Sequence, residues 1–182
     1  MRLPFPFVIL IVPFLFLIIP GCISQQENPS FSVSDSIEEP VFVSLDDAMA
    51  VLLSDDGMRL AREPHYSIHS IIGENVTKEG NAKTWIVAIK AKTPFYFVFT
   101  ANGFFKMNWT EESADSAIDF NKILSPSELF QVNSQKIHTL FTEKESGIHE
   151  LELANGKYTI RGFHNGVEWQ YAFDAVTGRE IL

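Results

Sequence analysis

The sequence of 182 residues has a single cysteine, Cys22, so one chain cannot form an internal disulfide. A domain exported into an oxidising compartment must therefore be stabilised by its hydrophobic core alone. Basic residues are also few: 14 Lys and Arg stand against 23 Asp and Glu, which gives a formal net charge of −9. Nucleic acids and anionic lipid headgroups both require a basic surface, so neither is expected as a partner.

Motifs that carry out chemistry are missing as well. The chain contains no Gly-x-Ser-x-Gly nucleophile elbow and no glycine-rich phosphate loop. Its paired carboxylates, Asp46-Asp47 and Glu111-Glu112, are sequence neighbours of the kind that complement a helix dipole. We therefore expect no catalytic residue and no cofactor, which argues against an enzyme.

Two of the five histidines, His65 and His69, have the four-residue spacing of a zinc pair on a helix. Pro64 and the apolar run that follows favour a strand instead, on which these two positions would lie about 13 Å apart. The other three are expected to be ordinary surface residues: His138, His149 and His164. The sequence therefore predicts no metal site.

Residues 1–21 are apolar apart from Arg2, but Pro4, Pro6 and Pro13 interrupt the apolar run from Leu3 to Ile19. A membrane-spanning helix needs about 20 apolar residues, whereas a positive start, an apolar stretch and a small-residue end are typical of a secretory signal. The stretch ends at Ile19-Pro20-Gly21-Cys22, which resembles the lipobox of bacterial and archaeal lipoproteins. This resemblance implies cleavage before Cys22 and lipidation of its sulfur. The alternative is a single N-terminal transmembrane anchor, and both interpretations place residues 23–182 outside the cytoplasm, held at the membrane.

Four further segments follow this signal peptide. Residues 22–40 contain the lipidated cysteine and a polar stretch too poor in apolar side chains to fold, which we interpret as a disordered tether. Residues 41–110 and 125–182 each contain a helix pattern and several strand patterns, and an acidic connector, residues 111–124, separates them. The predicted fold is α+β, with two αβββ-like units in tandem. We expect the units to pack together, because each alone would have a thin core.

In the first unit, Ser44 begins a helix of the Ser-x-x-Asp type, which ends near Leu53 or continues to Arg62. Strand patterns fill the rest of the unit, and Asn102-Gly103 predicts a two-residue hairpin turn. Three phenylalanines alternate along one of these strands and share a face: Phe95, Phe97 and Phe99.

In the second unit, Ser125 caps a helix that has Pro126 at its first position, and Glu128 reaches back to the cap. The helix carries an apolar stripe up to Gly147, formed by Leu129, Val132, Ile137, Leu140 and Phe141. A three-stranded meander follows, with turns at Asn155-Gly156 and at residues 164–166. Its last strand has the period of a half-buried strand, with Val167, Trp169, Tyr171 and Phe173 on one face.

The two units resemble each other. Each begins with a capped helix, and each contains Ala-Asn-Gly at a predicted hairpin tip, residues 101–103 and 154–156. The strand at residues 97–101 also aligns with the strand at residues 171–175, and a glycine turn follows both. These parallels favour an internal repeat.

The second unit ends in an aromatic strand followed by Asp174-Ala-Val-Thr177-Gly178 and then Ile181. This ending resembles the closing motif of PepSY-type domains, and the match covers about residues 125–182. The resemblance implies a small, secreted, non-catalytic module of a kind often linked to the regulation of peptidases. Asp174, Thr177 and Gly178 are expected to form a turn, because Asp accepts backbone hydrogen bonds there and Gly adopts positive φ.

Two N-glycosylation sequons make Asn75 and Asn108 candidate modification sites. Aromatic residues are numerous, with 16 Phe, 4 Tyr and 3 Trp, and outside the leader they concentrate on the strand patterns. Most of them must be core. Any aromatic sheet face left uncovered would be a surface for binding a peptide or another envelope protein.

We therefore expect a lipid-anchored protein on the outer face of the cell membrane, whose exported part is a non-catalytic binding module. Its partner would be an envelope protein, for example a peptidase that it modulates. Two alternatives remain open: an extracytoplasmic hydrolase whose site is not visible in the sequence, and a structural component of the cell surface.

Overall fold

The computed structural model describes residues 40–54, 65–109, 116–143 and 147–181. These segments contain three helices and eight strands, which confirms the predicted α+β class. The helices are α1 (Leu45–Leu53), α2 (Pro126–Val132) and α3 (Ser134–Glu143). The strands are β1 (Ser67–Val76), β2 (Ala82–Lys90), β3 (Phe95–Thr100), β4 (Gly103–Asn108), β5 (Ile148–Ala154), β6 (Lys157–His164), β7 (Val167–Asp174) and β8 (Glu180–Ile181).

All eight strands belong to one antiparallel sheet, in the order β4-β3-β2-β1-β5-β6-β7-β8. β1 and β5 pair at its centre, with Ile71 opposite Leu153. Each half of the chain therefore contributes four strands in sequence order, on its own side of this central pair. That is one strand more per half than the αβββ-like unit predicted. In the second half the addition is β8, which returns after the turn at Gly178 to pair with Ala172 and Phe173.

The three helices pack on one face of the sheet and share one hydrophobic cluster with it. The helices contribute Leu45, Ala48, Leu52, Leu129, Phe130, Ile137 and Leu140. The sheet contributes, among others, Trp85, Val87, Phe95, Phe97, Leu151, Leu153, Tyr158, Ile160 and Phe173. Each fully buried side chain of this size stabilises the fold by about 1.5–3 kcal/mol.

The helix starts follow the sequence closely. The Ser44 hydroxyl accepts a hydrogen bond from the Asp47 amide, and α1 ends at Leu53, so the shorter of the two predicted helices is correct. At the start of α2, the Ser125 hydroxyl accepts from the Glu128 amide and the Glu128 carboxylate accepts from the Ser125 amide. This is the predicted capping box.

The second predicted helix is broken into α2 and α3 at Asn133, whose backbone angles are φ −104° and ψ 25°. The Asn133 side-chain amide donates to the carbonyls of Leu129 and Gly178, which ties the break to the closing turn of the chain. Because of the break, the apolar stripe is discontinuous. Val132 was predicted in the stripe but is 61% exposed at the end of α2.

The predicted half-buried strand corresponds to β7. Phe173 is buried against the helices, and Trp169 and Tyr171 are half-buried on the same face. Val167 has the same alternation in the strand register but is 68% exposed, because it opens β7 directly after the tip of the β6–β7 hairpin. Among the described residues, no helix is both long and apolar enough to cross a membrane.

Candidate functional site on the open face of the sheet

Side chains paired directly across neighbouring strands lie on the same face of a sheet. One row of such pairs crosses all eight strands on the face opposite the helices: Phe105, Val98, Ile86, Ile72, Glu152, Thr159, Ala172 and Ile181. From β4 to β1 this row is entirely apolar. Beyond Ile72 it continues with Glu152 and Thr159. This face of the sheet, which we call the open face, therefore changes from apolar to polar where the two halves of the chain meet.

A second apolar row lies beside the first on β4, β3 and β2: Met107, Tyr96 and Ala88. The Trp109 indole stacks on the Tyr96 ring, with 5.3 Å between ring centroids and 15° between ring planes. We call the following set the aromatic patch: Ile72, Ile86, Tyr96, Val98, Phe105, Met107 and Trp109, of which Val98 is buried. Phe105 and Met107 are 49% and 48% exposed, so the patch presents two large apolar side chains to solvent.

The patch continues to the edge of the sheet. Among the described strands β4 has a neighbour on one side only, β3. The outer backbone N–H and C=O groups of such an edge strand are a template for pairing with a further strand. On the helix side, the Lys106 ammonium lies 4.0 Å from the centre of the Phe95 ring, a cation–π contact that covers this core residue. β4 therefore offers both an apolar surface and an edge for strand addition.

The second half of the open face is polar. Arg161 on β6 forms ion pairs with Glu150 and Glu152 on β5, and its Nη2 lies 2.8 Å from the Glu152 carboxylate. Its Nε donates to the Gln170 side chain on β7 at 3.2 Å. These groups pair with one another across three strands, which is the usual composition of a sheet face exposed to water.

The closing motif forms a turn between β7 and β8. One Asp174 carboxylate oxygen accepts hydrogen bonds from the Thr177 amide at 2.7 Å, the Thr177 hydroxyl at 2.8 Å and the Val176 amide at 3.1 Å. These bonds, led by that of the Thr177 amide, hold the pKa of Asp174 below its ordinary value. Gly178 has φ +67°, a conformation that favours glycine. The turn itself therefore supplies the hydrogen-bond donors of the Asp174 carboxylate.

The two sequons lie at opposite ends of the first half. Asn75 is exposed near the end of β1, with φ +52°, and Asn108 is exposed at the end of β4. The Thr77 hydroxyl accepts hydrogen bonds from the amides of Glu79 and Asn81, so it helps to form the β1–β2 turn. Glycosylation at either asparagine stays a prediction.

The histidines are dispersed. His65 is exposed ahead of β1, whereas His69 is buried within it, and its Nε2 lies 2.9 Å from the Ser67 hydroxyl. His149 contacts the Phe163 ring edge-on, with 5.4 Å between centroids. In the described segments, no three His, Cys, Asp or Glu side chains come together in a way that could hold a metal ion. Cys22 lies outside the described residues.

No known protein family matches the chain, and no curated protein does. Among solved structures, the chain is similar to a protein from Clostridium difficile 630 described as a "putative lipoprotein". The TM-score is 0.50 at 14% sequence identity, and the match covers 81% of this chain and 95% of the other. At this identity the similarity establishes a shared fold.

Proposed function

We propose that this protein is a lipoprotein, anchored through Cys22 to the outer face of the cell membrane, whose exported part is a non-catalytic binding module. The lipobox-like ending of the leader supports the anchor. The description of the similarly folded Clostridium difficile protein supports it as well. Two acyl chains on one cysteine would hold the module stably, since a single chain gives only reversible membrane binding.

The aromatic patch carries the binding proposal. A contiguous apolar area on a soluble protein marks an interaction site more often than solitary exposed residues do. Here it adjoins the edge strand β4, so the partner is a protein that adds a strand beside β4 and packs apolar side chains on Phe105 and Met107. The PepSY-like ending suggests a peptidase or another envelope protein as that partner.

Crosslinking from the patch tests this function. A photoreactive phenylalanine analogue would replace Phe105 in the full chain in its native membrane, and Phe163 would serve as the matched control. Both side chains are exposed to a similar degree, 49% and 45%, and both lie on the open face, but Phe163 belongs to the polar half. We expect one reproducible crosslinked protein from position 105 and none from position 163. Equal crosslinking from both positions, or none from either, would contradict the proposal.

The anchor is tested separately with Cys22→Ser. We expect the wild-type chain to carry a mass increase on a processed N-terminal cysteine and to stay with the membrane fraction. The variant should keep its leader and lack the lipid mass. A wild-type chain that retains residues 1–21 would favour the transmembrane alternative.

We also infer that the two halves are copies of one helix-and-sheet unit. The strand order supports this, because four sequential strands extend from each side of the β1–β5 pair. The aligned segments at residues 97–101 and 171–175 occupy equivalent positions, on the third strand of each half. The two Ala-Asn-Gly segments do not, since one joins β3 to β4 and the other joins β5 to β6. The repeat therefore rests on the topology and the third strands.

A further inference from the structure

A groove of about 740 Å³ opens on the helix side of the sheet, away from the aromatic patch. It lies between α1 and the segment that leads into α2. Its walls are mainly apolar and include Leu45, Met49, Leu53, Ile68, Phe120 and Ile123. Leu53 and Phe120 at these walls are 59% and 37% exposed. The volume is within the range of about 300–1,000 Å³ that is typical of sites for small molecules.

The charged groups in this groove are carboxylates, and several hydroxyl groups accompany them. Asp46 from α1 and Glu128 from α2 are the charged residues among its described lining, which contains no Lys, Arg or His. The Tyr158 hydroxyl donates its proton to the Leu124 carbonyl at 2.7 Å, so its oxygen faces the groove only as an acceptor. The Ser125 hydroxyl already accepts from the Glu128 amide. An apolar groove whose described lining carries two carboxylates and no cation is complementary to a positively charged ligand.

Both carboxylates act on the same part of the groove. Burial, and then the negative charges of Glu128 and Asp46, raise the pKa of Tyr158 above its ordinary value. Both carboxylates line the groove from different helices, and both are exposed to solvent. The Ser125 amide donates to the Glu128 carboxylate at 2.7 Å and holds the pKa of Glu128 below its ordinary value.

We propose that this groove binds a small ligand that has an apolar body and an ammonium group. The ammonium would lie between Asp46 and Glu128, where each carboxylate retains an oxygen lone pair for it. The body of the ligand would contact Leu45, Met49 and Ile68. This site is independent of the aromatic patch, because the two lie on opposite faces of the sheet.

The probe is phenethylamine, titrated calorimetrically into the full chain in detergent, with 2-phenylethanol as its neutral analogue. We expect the amine to bind at least tenfold more tightly than the alcohol. The double variant Asp46→Asn with Glu128→Gln should abolish that preference, and Gln at position 128 retains the capping box. Glu168→Gln removes one charge on the opposite face and should leave binding unchanged. Partition into micelles is common to all the variants, so their differences report on the groove.

A second variant tests the apolar part without altering charge. Ala50 lines the groove and is exposed on α1, so Ala50→Phe should fill the groove at little cost to folding. We expect this substitution to weaken binding of phenethylamine at least tenfold. Equal affinity for amine and alcohol, or unchanged binding in the double variant or in Ala50→Phe, would overturn the proposal.

Discussion

The two halves of the sheet present the same kind of surface to the helices and different surfaces on the other side. On β2 and β3 both faces are largely apolar, as Val87 and Phe97 toward the helices and Ile86 and Tyr96 on the open side illustrate. On β5–β8 the helix side is equally apolar, but Arg161 and its two glutamates occupy the open side. In the described segments, one helix lies at the start of the first half, and two precede the strands of the second.

This difference indicates which apolar surfaces the fold requires and which it does not. The second half demonstrates that a polar open face is compatible with this sheet, since Arg161 pairs with Glu150 and Glu152 on β5 and donates to Gln170 on β7. The apolar open face of the first half is therefore not a requirement of the architecture. This difference supports the proposal that the aromatic patch serves binding, whereas the helix face serves stability.

Truncating one phenylalanine on each face of the first half should give the largest contrast. Phe97 is fully buried under the helices and stacks on Phe104 with 5.2 Å between ring centroids. We expect Phe97→Ala to lower the free energy of unfolding by about 3–5 kcal/mol, because it leaves a cavity in the core. Phe105→Ala should change it by less than about 0.5 kcal/mol, since this side chain is half exposed.

Urea unfolding of the full chain in detergent measures both variants. A loss of stability in Phe105→Ala comparable to that in Phe97→Ala would mean that Phe105 belongs to the hydrophobic core. Such a result would contradict the proposal that the aromatic patch is a binding surface.

A glycine lies beneath a tryptophan in each half, and the two pairs should differ in their tolerance of a methyl group. A Cβ at Gly73 would lie 2.6 Å from the Trp85 indole, and one at Gly162 would lie 2.2 Å from the Trp169 indole. Trp85 is 1% exposed and its Nε1 donates to the Val43 carbonyl at 2.9 Å, so its indole is held in place by packing and by this hydrogen bond. Trp169 is half-buried, and its Nε1 has no hydrogen-bond partner among the described residues.

A Cβ at Gly162 would also lie 2.8 Å from the Gly147 carbonyl oxygen, which belongs to the backbone and cannot rotate away. We therefore expect Gly73→Ala to cost about 1–3 kcal/mol of unfolding free energy and Gly162→Ala to cost at least as much. Thermal unfolding monitored by tryptophan fluorescence measures both. The effect of the substitution on the unfolded chain is the same at each site, so it cancels in the comparison. A smaller loss at position 162 would contradict this expectation and show that the half-buried Trp169 moves aside more readily than Trp85.

The polar network of the second half should matter still less to stability. Arg161 and its partners Glu150 and Glu152 are all partly exposed, and ion pairs of this kind typically contribute about 0.2–1 kcal/mol. Arg161→Gln should therefore lower the unfolding free energy by less than about 1 kcal/mol. The loss should shrink further in high salt, which screens the wild-type pairs. A salt-independent loss would indicate that packing of the arginine stem is responsible.

Local signals made much of this fold predictable. Ser44 and Ser125 cap helices as their sequence context indicates, because capping depends on residues within one turn. Asn155-Gly156 also forms its predicted turn, with φ +50° and +72°. The turn expected at Asn102-Gly103 is displaced by one residue: Gly103 opens β4 opposite Thr100. The Thr100 hydroxyl accepts from the Asn102 amide and donates to the Gly103 carbonyl, which fixes this arrangement.

Features that depend on distant contacts were beyond prediction from the sequence. The break at Asn133 is tied to the Gly178 carbonyl, 45 residues away in sequence. The aromatic patch was foreseen as a possibility, but its location depends on which sheet face the helices cover. The runs in β2 and β3 are apolar at nearly every position, so they give no indication of that face. The groove could not be predicted from the sequence because its carboxylates, Asp46 and Glu128, come from different halves of the chain.

The smallest effect concerns the turns that follow the third strand of each half. The β7–β8 turn depends on the Asp174 carboxylate, whereas the β3–β4 turn uses the neutral Thr100 hydroxyl. Hydrogen bonds to the ionised form lower the pKa of Asp174 from 3.8 in the folded state. The unfolded chain then binds a proton more readily, so this carboxylate stabilises the fold above pH about 3.8 and the contribution is lost as pH falls through the lower folded value.

An NMR titration should accordingly show the Val176 and Thr177 amides shifting together with a midpoint below pH 3.8, while the Asn102 amide shows no such transition. Asp174→Asn should abolish the transition at both amides. A midpoint at or above 3.8 would mean that the carboxylate gains nothing from its turn, and the two turns would then be equivalent in their response to acid.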